Sequence, residues 1–467
     1  MSLIFTTCFF DINTDFTKDK PPEVCFSHFN TLAHTGIKIH LFLSPCFRET
    51  YERMCGHRST VRVEYIEKDT LLTFREIEDL EVKLPAQRTE HHDTRPFLTT
   101  MNAKAELVYR TMQLYPLVSH FAWIDFSIFH VIRNKETADY LHMLSQVRLK
   151  ASLLMPGCWN RSDISFDHVH WRFCGGFFLG DRQAIQTLYD LYRKNFRELV
   201  QTSGLTWEVN VWAYFESKGL AVEWYAAGHD DSIVRIPSSS FYVAASLTSI
   251  PSRADSLRRT IDSLLPQVDE IRLAIPVTYR RFKNTWECPE YLKTEAYSRV
   301  RVIRTEDLGP ATKYLGGIGL NCWVFVCDDD QEYNPTLLER MKMSIQKMAV
   351  YQNHYESIVH KTSGGCIHGY VGLLIPSPSL RNLPTFPLPA SAYFVDDQWM
   401  SIYCLTEGIS ILSSGVNEYS EIYKVLDTWH ELIGVDALSQ LNTRDTCVRD
   451  LESFFRVKWV SPNYLLD

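Results

Sequence analysis

The sequence predicts an α/β protein built from two doubly wound, mostly parallel sheets in tandem. Apolar strands alternate with helical segments, which is typical of sheets covered by helices on both faces. The alternation begins again near residue 237. In both halves a carboxylate follows a strongly apolar strand, and ligands of such sheets bind beyond the carboxyl ends of the strands.

Length and composition agree with two domains. The chain has 467 residues, of which 45% are hydrophobic and 22% are charged. This is the composition of a globular protein with buried cores and excludes a disordered chain. The net charge of −8, from 48 basic and 56 acidic residues, argues against a partner that is a nucleic acid or an anionic membrane.

The sequence also predicts the compartment. Residues 3–10 are interpreted as a first strand and not as a signal peptide, because no basic segment precedes them. No run of about 18 apolar residues occurs, so no membrane span is expected. The 12 cysteines form no CxxC pair and predict free thiols in a reducing compartment, without a zinc site. We therefore expect a cytoplasmic protein, or one of the host cytoplasm if the source is viral.

The second half, predicted as a domain over 237–467, shows the alternation clearly. Its first strand, 241–247, leads through a loop into a helix with apolar residues at helical spacing. An Asn-Pro pair at 334–335 provides an N-cap and a first-turn proline for a helix over 335–349. Further strands are predicted at 270–277, 300–304 and 322–327.

The first half, predicted as a domain over 1–236, repeats this scheme less regularly. The predicted strands are 3–10, 37–43, 61–65 and 120–126. The predicted helices are 102–114, 136–146 and 182–200. Strand 120–126 places Asp125 near its carboxyl end, at the position where the second half has its acidic cluster.

Three adjacent carboxylates, Asp328, Asp329 and Asp330, directly follow strand 322–327. Like charges at this spacing raise one another's pKa, and a divalent cation removes that penalty. Carboxylate oxygens suit Mg²⁺ or Mn²⁺, which also bind substrate phosphates. In an extended segment Asp328 and Asp330 face the same way and predict the metal ligands. Asp329 then faces backbone or a ribose; the alternative is a solvated acidic turn that caps the next helix.

Two further features favour a site in the second half. Asp396 and Asp397 precede an apolar helical run and are interpreted either as a catalytic carboxylate pair or as simple capping of the helix dipole. Asp307 and Lys313 flank a Gly-Pro turn, and the lysine is a point charge suited to a diphosphate. Taken alone, that segment is also compatible with an ordinary loop and helix cap.

These elements occur in an order that resembles GT-A-fold glycosyltransferases that use nucleotide sugars. Residues 240–430 are most similar to the inverting domains found in large algal viruses and some bacteria. The resemblance implies that Thr248, Arg253 and Asp307 line the nucleotide pocket and that Lys313 approaches the phosphates. It places Mn²⁺ or Mg²⁺ on Asp328 and Asp330 and Asp329 near the ribose. It makes Asp397 the base, with Asp396 as the fallback.

Residues 1–235 resemble the HtrL/YibB-like proteins, which are also similar to GT-A glycosyltransferases. The matching segments are 5–12, 123–126 with His130, 174–181 and 206–209. One departure is that Asp125 is followed by Phe126 and Ser127, so a metal held by Asp125 needs another ligand, for which His229 or His130 is a candidate. Asn102 and Lys104 are candidates for donor phosphates. Glu208 is interpreted as a base or a helix cap.

The sequence therefore predicts a bifunctional glycosyltransferase that moves sugars from UDP- or GDP-sugar donors to hydroxyls of a glycan acceptor. The second domain is expected to be metal-dependent and inverting. Two alternatives stay open: an active second domain joined to a degenerate carbohydrate-binding first domain, and a nucleotidyltransferase. The latter normally has a glycine-rich phosphate loop, whereas residues 248–253 contain no glycine. For Trp399, Tyr370 and Tyr393, core packing is favoured over stacking on sugars.

Overall fold

A computed structural model describes residues 3–12, 20–354, 366–423 and 444–459, without the side chains of 254–256, 444 and 445. The chain divides into unit 1, Met1–Ser240, and unit 2, Phe241–Asp467. The sequence had placed this boundary between residues 236 and 237. Residues 237–240 belong to unit 1. They are held there by a hydrogen bond of 3.0 Å, which the backbone N–H of Lys150 donates to the carbonyl of Ser240.

Unit 1 contains a seven-stranded sheet among its described residues. Its strands are β1 (Leu3–Phe9), β2 (Ile39–Leu43), β3 (Val61–Tyr65), β4 (His120–Ile124), β5 (Leu153–Gly157), β6 (Phe177–Asp181) and β7 (Glu223–Ala226). Their order across the sheet is β3-β2-β1-β4-β6-β5-β7. Strand β6 runs antiparallel to both of its neighbours, and the other pairs are parallel.

Helices cover both faces of this sheet. They are α1 (Pro22–His34), α2 (Arg48–Met54), α3 (Leu72–Arg75), α4 (Arg95–Asn102), α5 (Lys104–Leu114), α6 (Glu136–Gln146), α7 (Arg182–Ser203) and α8 (Glu208–Ser217). One buried cluster joins Ile4 and Trp123 of the sheet to α5, α7 and α8. On the opposite face of β1, Phe9 contacts Phe26 of α1, with ring centroids 5.3 Å apart.

Unit 2 also contains a seven-stranded sheet. Its strands are β8 (Val243–Leu247), β9 (Glu270–Pro276), β10 (Val300–Thr305), β11 (Trp323–Val326), β12 (Val350–Gln352), β13 (Leu373–Pro376) and β14 (Ile411–Ser413). Their order is β10-β9-β8-β11-β13-β12-β14. Strand β13 is antiparallel to β11 and β12, and the remaining pairs are parallel.

The described helices of unit 2 are α9 (Ala254–Leu264), α10 (Thr312–Leu315), α11 (Leu337–Met343), α12 (Asp396–Thr406), α13 (Tyr419–Ile422) and α14 (Arg444–Phe455). A buried cluster packs Tyr314 of α10, Trp399 of α12 and Leu451 of α14 against Val324 and Val326 of β11. This packing places the first residues of α12 near the loop that leaves β11.

The two sheets have the same strand order, with β8 to β14 in the places of β1 to β7, and the same strand is reversed in each. The α/β fold class with two mostly parallel, doubly wound sheets is therefore confirmed. The correspondence extends to the helices that precede the central strand: α5 lies before β4, and α10 lies before β11.

Several predicted elements differ in extent. Helix 136–146 is confirmed as α6, and helix 182–200 continues to Ser203, where Gly204 ends it with a φ of 90°. The helix predicted over 335–349 ends at Met343 instead. Beyond it, the backbone N–H groups of Gln346 and Lys347 donate to the Tyr351 hydroxyl, which replaces helical bonding.

All 12 cysteines lie in the described residues and are free thiols. A search of the described helices finds none that is both long enough and apolar enough to cross a membrane.

Candidate active site

The site in unit 2 begins where β11 ends. This strand lies between β8 and β13, all four of its residues are buried, and the chain leaves it into Asp328, Asp329 and Asp330. Because β8 is parallel to β11, the loop that carries Thr248 and Arg253 opens at the same edge of the sheet. The sequence-predicted metal and nucleotide residues are thus brought to one edge.

Lys313 connects this edge to helix α12. Its side chain is only 3% exposed, and its Nζ lies 2.8 Å from Asp328 Oδ1 and 2.8 Å from Asp396 Oδ2. Burial alone lowers the pKa of an ammonium group, but the charges of Asp328 and Asp396 outweigh burial and raise the pKa of Lys313 well above its ordinary value. The ammonium group therefore remains charged and joins the strand end to the first residue of α12.

Asp397 follows in the first turn of α12. Its Oδ1 accepts a 2.7 Å hydrogen bond from the backbone N–H of Gly369. Burial, and then the charge of Asp396, raises the pKa of Asp397 to about 7. A Cβ on Gly369 would lie 2.6 Å from Lys313 Nζ and 2.8 Å from Asp397 Oδ1, so a side chain at this position would displace one of them. A carboxylate with a pKa near neutrality is suited to remove a proton from a hydroxyl.

Arg253 holds the other two carboxylates of the triple aspartate. One guanidinium nitrogen lies 2.8 Å from Asp329 Oδ1 and 3.0 Å from Asp330 Oδ2. The hydroxyl of Thr260 donates to the Asp329 carbonyl at 2.9 Å. Burial, and then the charges of Asp328 and Asp329, raises the pKa of Asp330 to about 7 in spite of the arginine. Burial and the negative charges of Asp328 and Asp329 therefore outweigh the positive charge of Arg253 at Asp330.

This donor set fits a divalent cation. Five carboxylates of the cluster (Asp328, Asp329, Asp330, Asp396 and Asp397) face two cations, Lys313 and Arg253. Asp329 Oδ2 is buried, and within the described residues no donor reaches it. Across the same residues no three His, Cys, Asp or Glu side chains are arranged to hold a metal alone. Two carboxylates completed by substrate phosphates are, however, the usual ligands of Mg²⁺.

Both carboxylate oxygens of Asp307 accept hydrogen bonds from residues of the surrounding loops. Its Oδ2 accepts hydrogen bonds from the Arg280 backbone N–H at 2.6 Å and from the Tyr393 hydroxyl at 2.7 Å. Its Oδ1 accepts from the Gly309 N–H at 2.8 Å. Gly309 has a φ of +62°, and a Cβ there would lie 2.3 Å from the Tyr393 carbonyl oxygen. Asp307 therefore shapes the loop before α10, and direct contact with a nucleotide stays a prediction, as it does for Thr248.

The aromatic residues separate into core and loop positions. Trp399 is fully buried and its indole N–H donates to the Pro387 carbonyl at 2.8 Å, which is the expected core packing. Tyr393 is half-buried and holds Asp307. The hydroxyl of Tyr370 lies 3.2 Å from that of Tyr419.

Unit 1 contains a second lysine-centred cluster at the carboxyl end of β4. Lys104 begins α5 and has a side chain that is 1% exposed. Its Nζ lies 2.7 Å from Glu208 Oε1, 3.1 Å from Asp125 Oδ1 and 2.9 Å from the Gly175 carbonyl oxygen. Burial would lower the pKa of Lys104, but Asp125 and Glu208 raise it above its ordinary value. The sequence-predicted residues Lys104, Asp125 and Glu208 therefore meet.

Two other candidates of unit 1 are differently placed. The amide of Asn102 donates to the carbonyls of Leu98 and Thr206 at 2.9 and 2.8 Å, and its oxygen accepts from Tyr192 at 3.2 Å. These bonds hold helices together, and contact of Asn102 with a donor phosphate stays a prediction. His229 is exposed, with its ring centroid 6.0 Å from that of His130.

The sequence did not indicate the lysine bridges or the contacts of two glycines, although Gly175 lies in the matched segment 174–181. Gly369 and Gly175 each lie against a carboxylate of a candidate site, and a Cβ on Gly175 would lie 2.2 Å from Glu208 Oε1. The only signal in the sequence was a glycine shortly before a short apolar strand. Both lysines were assigned to substrate phosphates, whereas each bridges two carboxylates.

Comparisons with known proteins were made at three levels. No family model matches the chain, and no curated protein matches it. Among solved structures, a glycosyltransferase involved in glycosylation of the major capsid of PBCV-1 is similar at 10% identity and a TM-score of 0.27, over 49% of this chain and 82% of that one. Mouse xyloside xylosyltransferase 1 is similar at 9% identity and a TM-score of 0.24, over 48% and 84%.

A third similar structure is 4-diphosphocytidyl-2C-methyl-D-erythritol synthase from Anaerococcus prevotii, at 10% identity and a TM-score of 0.28, over 49% of this chain and 87% of that one.

Proposed function

We propose that unit 2 transfers a sugar from a nucleoside-diphosphate donor, a UDP- or GDP-sugar, to a hydroxyl of a glycan acceptor. The observation that carries this proposal is the cluster at the carboxyl end of β11. There, Asp328 and Asp330 supply excess negative charge beside Asp397, a carboxylate whose pKa is raised to about 7. The cluster thus combines candidate metal ligands with a candidate base.

On the donor side, Asp328 and Asp330 are the residues assigned to Mn²⁺ or Mg²⁺. Such an ion, when bound, supplies Lewis-acid stabilisation of the charge that develops on the leaving diphosphate. Arg253 fixes Asp329 and Asp330 through contacts of 2.8 and 3.0 Å. Lys313 neutralises part of the charge of Asp328 and holds this carboxylate in place. Asp329 is assigned to the ribose.

On the acceptor side, Asp397 is assigned as the base that removes the hydroxyl proton. The Gly369 N–H holds its Oδ1, so Oδ2 is the atom assigned to the proton. Asp396 is the weaker candidate because its Oδ2 is occupied by the Lys313 ammonium, whose Nζ lies 2.8 Å away. A base on the face opposite the leaving diphosphate gives inversion at the anomeric carbon, which passes through an oxocarbenium-like state.

The same function is proposed for unit 1, which would make the chain bifunctional. Support comes from the identical strand order and from the Lys104–Asp125–Glu208 cluster at the corresponding sheet edge. Glu208 is assigned as its base, although it contacts Lys104 as Asp396 contacts Lys313, because α8 has Val209 where α12 has Asp397. If unit 1 instead only binds carbohydrate, Glu208→Gln will leave every transfer activity of the chain unchanged.

The test compares Asp397→Asn with the control Glu339→Gln, which changes an exposed carboxylate on α11. Both are made in a full-length chain that carries Glu208→Gln, so that turnover reports unit 2. We expect Asp397→Asn to lower sugar transfer by about 10² to 10⁴, the usual range for loss of a general base. Donor affinity, measured by calorimetry with UDP- and GDP-sugars and Mn²⁺, should change less than about twofold. Unchanged turnover would remove Asp397 from the role of base.

A further inference from the structure

The lysine-centred clusters of the two units occupy the same positions of the same topology. Lys104 and Lys313 each lie in the helix before the central strand of their sheet. Asp125 follows β4 directly and Asp328 follows β11 after Cys327, and each is the first residue beyond an apolar run. In each unit the lysine Nζ lies within 3.1 Å of this aspartate.

Two further positions correspond. Glu208 and Asp396 are the first residues of the last helix before the final strand of their sheet, and each has a carboxylate oxygen within 2.8 Å of the lysine Nζ of its unit. Gly175 and Gly369 precede the reversed strand, and a Cβ on either would collide with a carboxylate oxygen of its cluster. Four matched positions describe one site that is present twice in the chain.

The formal charges of the two clusters differ. In unit 2 the five carboxylates named above and two cations leave a net charge of −3. Among the described residues of unit 1, Asp125 and Glu208 lie against Lys104, which leaves −1, the same value that Asp328, Asp396 and Lys313 give in unit 2. The further negative charge of unit 2 comes from Asp329, Asp330 and Asp397, which Arg253 offsets only in part. Unit 1 has Phe126, Ser127 and Val209 at the corresponding positions, so its cluster has no such excess for a divalent cation to balance.

The ammonium of Lys104 already has a full set of partners. Its three N–H donors have three acceptors within 3.1 Å, namely Asp125, Glu208 and the Gly175 carbonyl. Asp125 Oδ1 also accepts from the indole N–H of Trp123 at 2.7 Å. After Asp125 comes the buried side chain of Phe126, where unit 2 has a second aspartate. The donor set that the described residues of unit 1 provide therefore does not fit a divalent cation.

We infer that the two copies of the site differ in their use of metal. Unit 2 binds one divalent cation at Asp328 and Asp330, whereas unit 1 binds none and has the Lys104 ammonium as its cation. This inference rests on the proposed function for the metal of unit 2. For unit 1 it replaces the predicted metal ligands Asp125 and His229 with a fixed ion pair. The chain then holds one divalent cation, not two.

The test is equilibrium dialysis of the full-length chain against MnCl₂ and UDP, with bound manganese measured by elemental analysis. Three variants are compared with the wild type: Asp125→Asn, the double variant Asp328→Asn with Asp330→Asn, and the control Glu339→Gln. Asparagine keeps an acceptor for Trp123 at position 125, and circular dichroism with a thermal midpoint checks the folding of each variant.

We expect one bound Mn²⁺ per chain in the wild type, in Asp125→Asn and in the control, and none in the double variant. Two Mn²⁺ in the wild type, of which Asp125→Asn removes one, would overturn the inference and leave the proposed function of unit 2 intact. Retention of one Mn²⁺ in the double variant and its loss in Asp125→Asn would overturn the inference. No bound Mn²⁺ in any form would overturn both the inference and the metal dependence proposed for unit 2.

Discussion

Lys313→Met tests whether the buried ammonium holds the site of unit 2 together. Methionine keeps a long apolar side chain in α10 but removes the charge between Asp328 and Asp396. Each carboxylate then loses a cation that lies 2.8 Å away. Within the buried cluster this leaves like charges that repel one another, with Arg253 as the remaining neighbouring cation.

The expected loss of stability follows from the burial of the three groups. Removal of one partner from a buried ion pair typically costs about 3–5 kcal/mol. The side chain of Lys313 is 3% exposed and that of Asp396 is 12% exposed, whereas Asp328 is 31% exposed and can regain some hydration. We therefore expect the lower end of the range, about 3 kcal/mol in the free energy of unfolding of unit 2.

The assay is urea unfolding of Lys313→Met, Asp396→Asn and the double variant, with Lys283→Met as an exposed-lysine control. Since the two side chains interact directly, the double variant should lose less stability than the sum of the single variants, by about 1–3 kcal/mol. Additivity within about 0.5 kcal/mol, or a loss in Lys313→Met no larger than in the control, would refute the assigned role of the ammonium.

Two further predictions concern catalysis in unit 2. Burial and the charge of Asp396 raise the pKa of Asp397 to about 7 in spite of Lys313. Because only the ionised base accepts a proton, we expect kcat/KM to rise with pH through about 7 and to level off above it. A profile that is flat from about pH 5 to about pH 9 would contradict this. Gly369→Ala should lower kcat about tenfold or more, because its Cβ would lie 2.8 Å from Asp397 Oδ1 and displace this carboxylate. A wild-type kcat in this variant would contradict the prediction and show that the segment around Gly369 moves away freely.

Local patterns predicted most of the first part of each fold. Strand 3–10 and helix 136–146 carry clear apolar periodicity, and both are present as β1 and α6. The strands of the second part were missed because they are short; β12 has three residues and β14 has three. Such strands are defined by pairing with β13 and β12, and not by a pattern of their own.

The site was predicted in part for a similar reason. Acidic residues after β4 and β11 were found because position in an α/β sheet is readable from local sequence. The ion-pair partners of Lys313 could not be predicted in this way, because Asp328 and Asp396 lie 15 and 83 positions away in the chain. Asn102 was assigned to a phosphate, although its partners Thr206 and Tyr192 are brought to it only by the packing of helices.

Sugar transfer by unit 2 is tested most directly by release of UDP or GDP from nucleotide sugars by the full-length chain that carries Glu208→Gln. We expect turnover with Mn²⁺, its loss in excess chelator, and its loss by about 10² or more when Asp328→Asn and Asp330→Asn are added. Full turnover in excess chelator, or release of pyrophosphate from a nucleoside triphosphate in place of nucleoside diphosphate from a sugar donor, would contradict it.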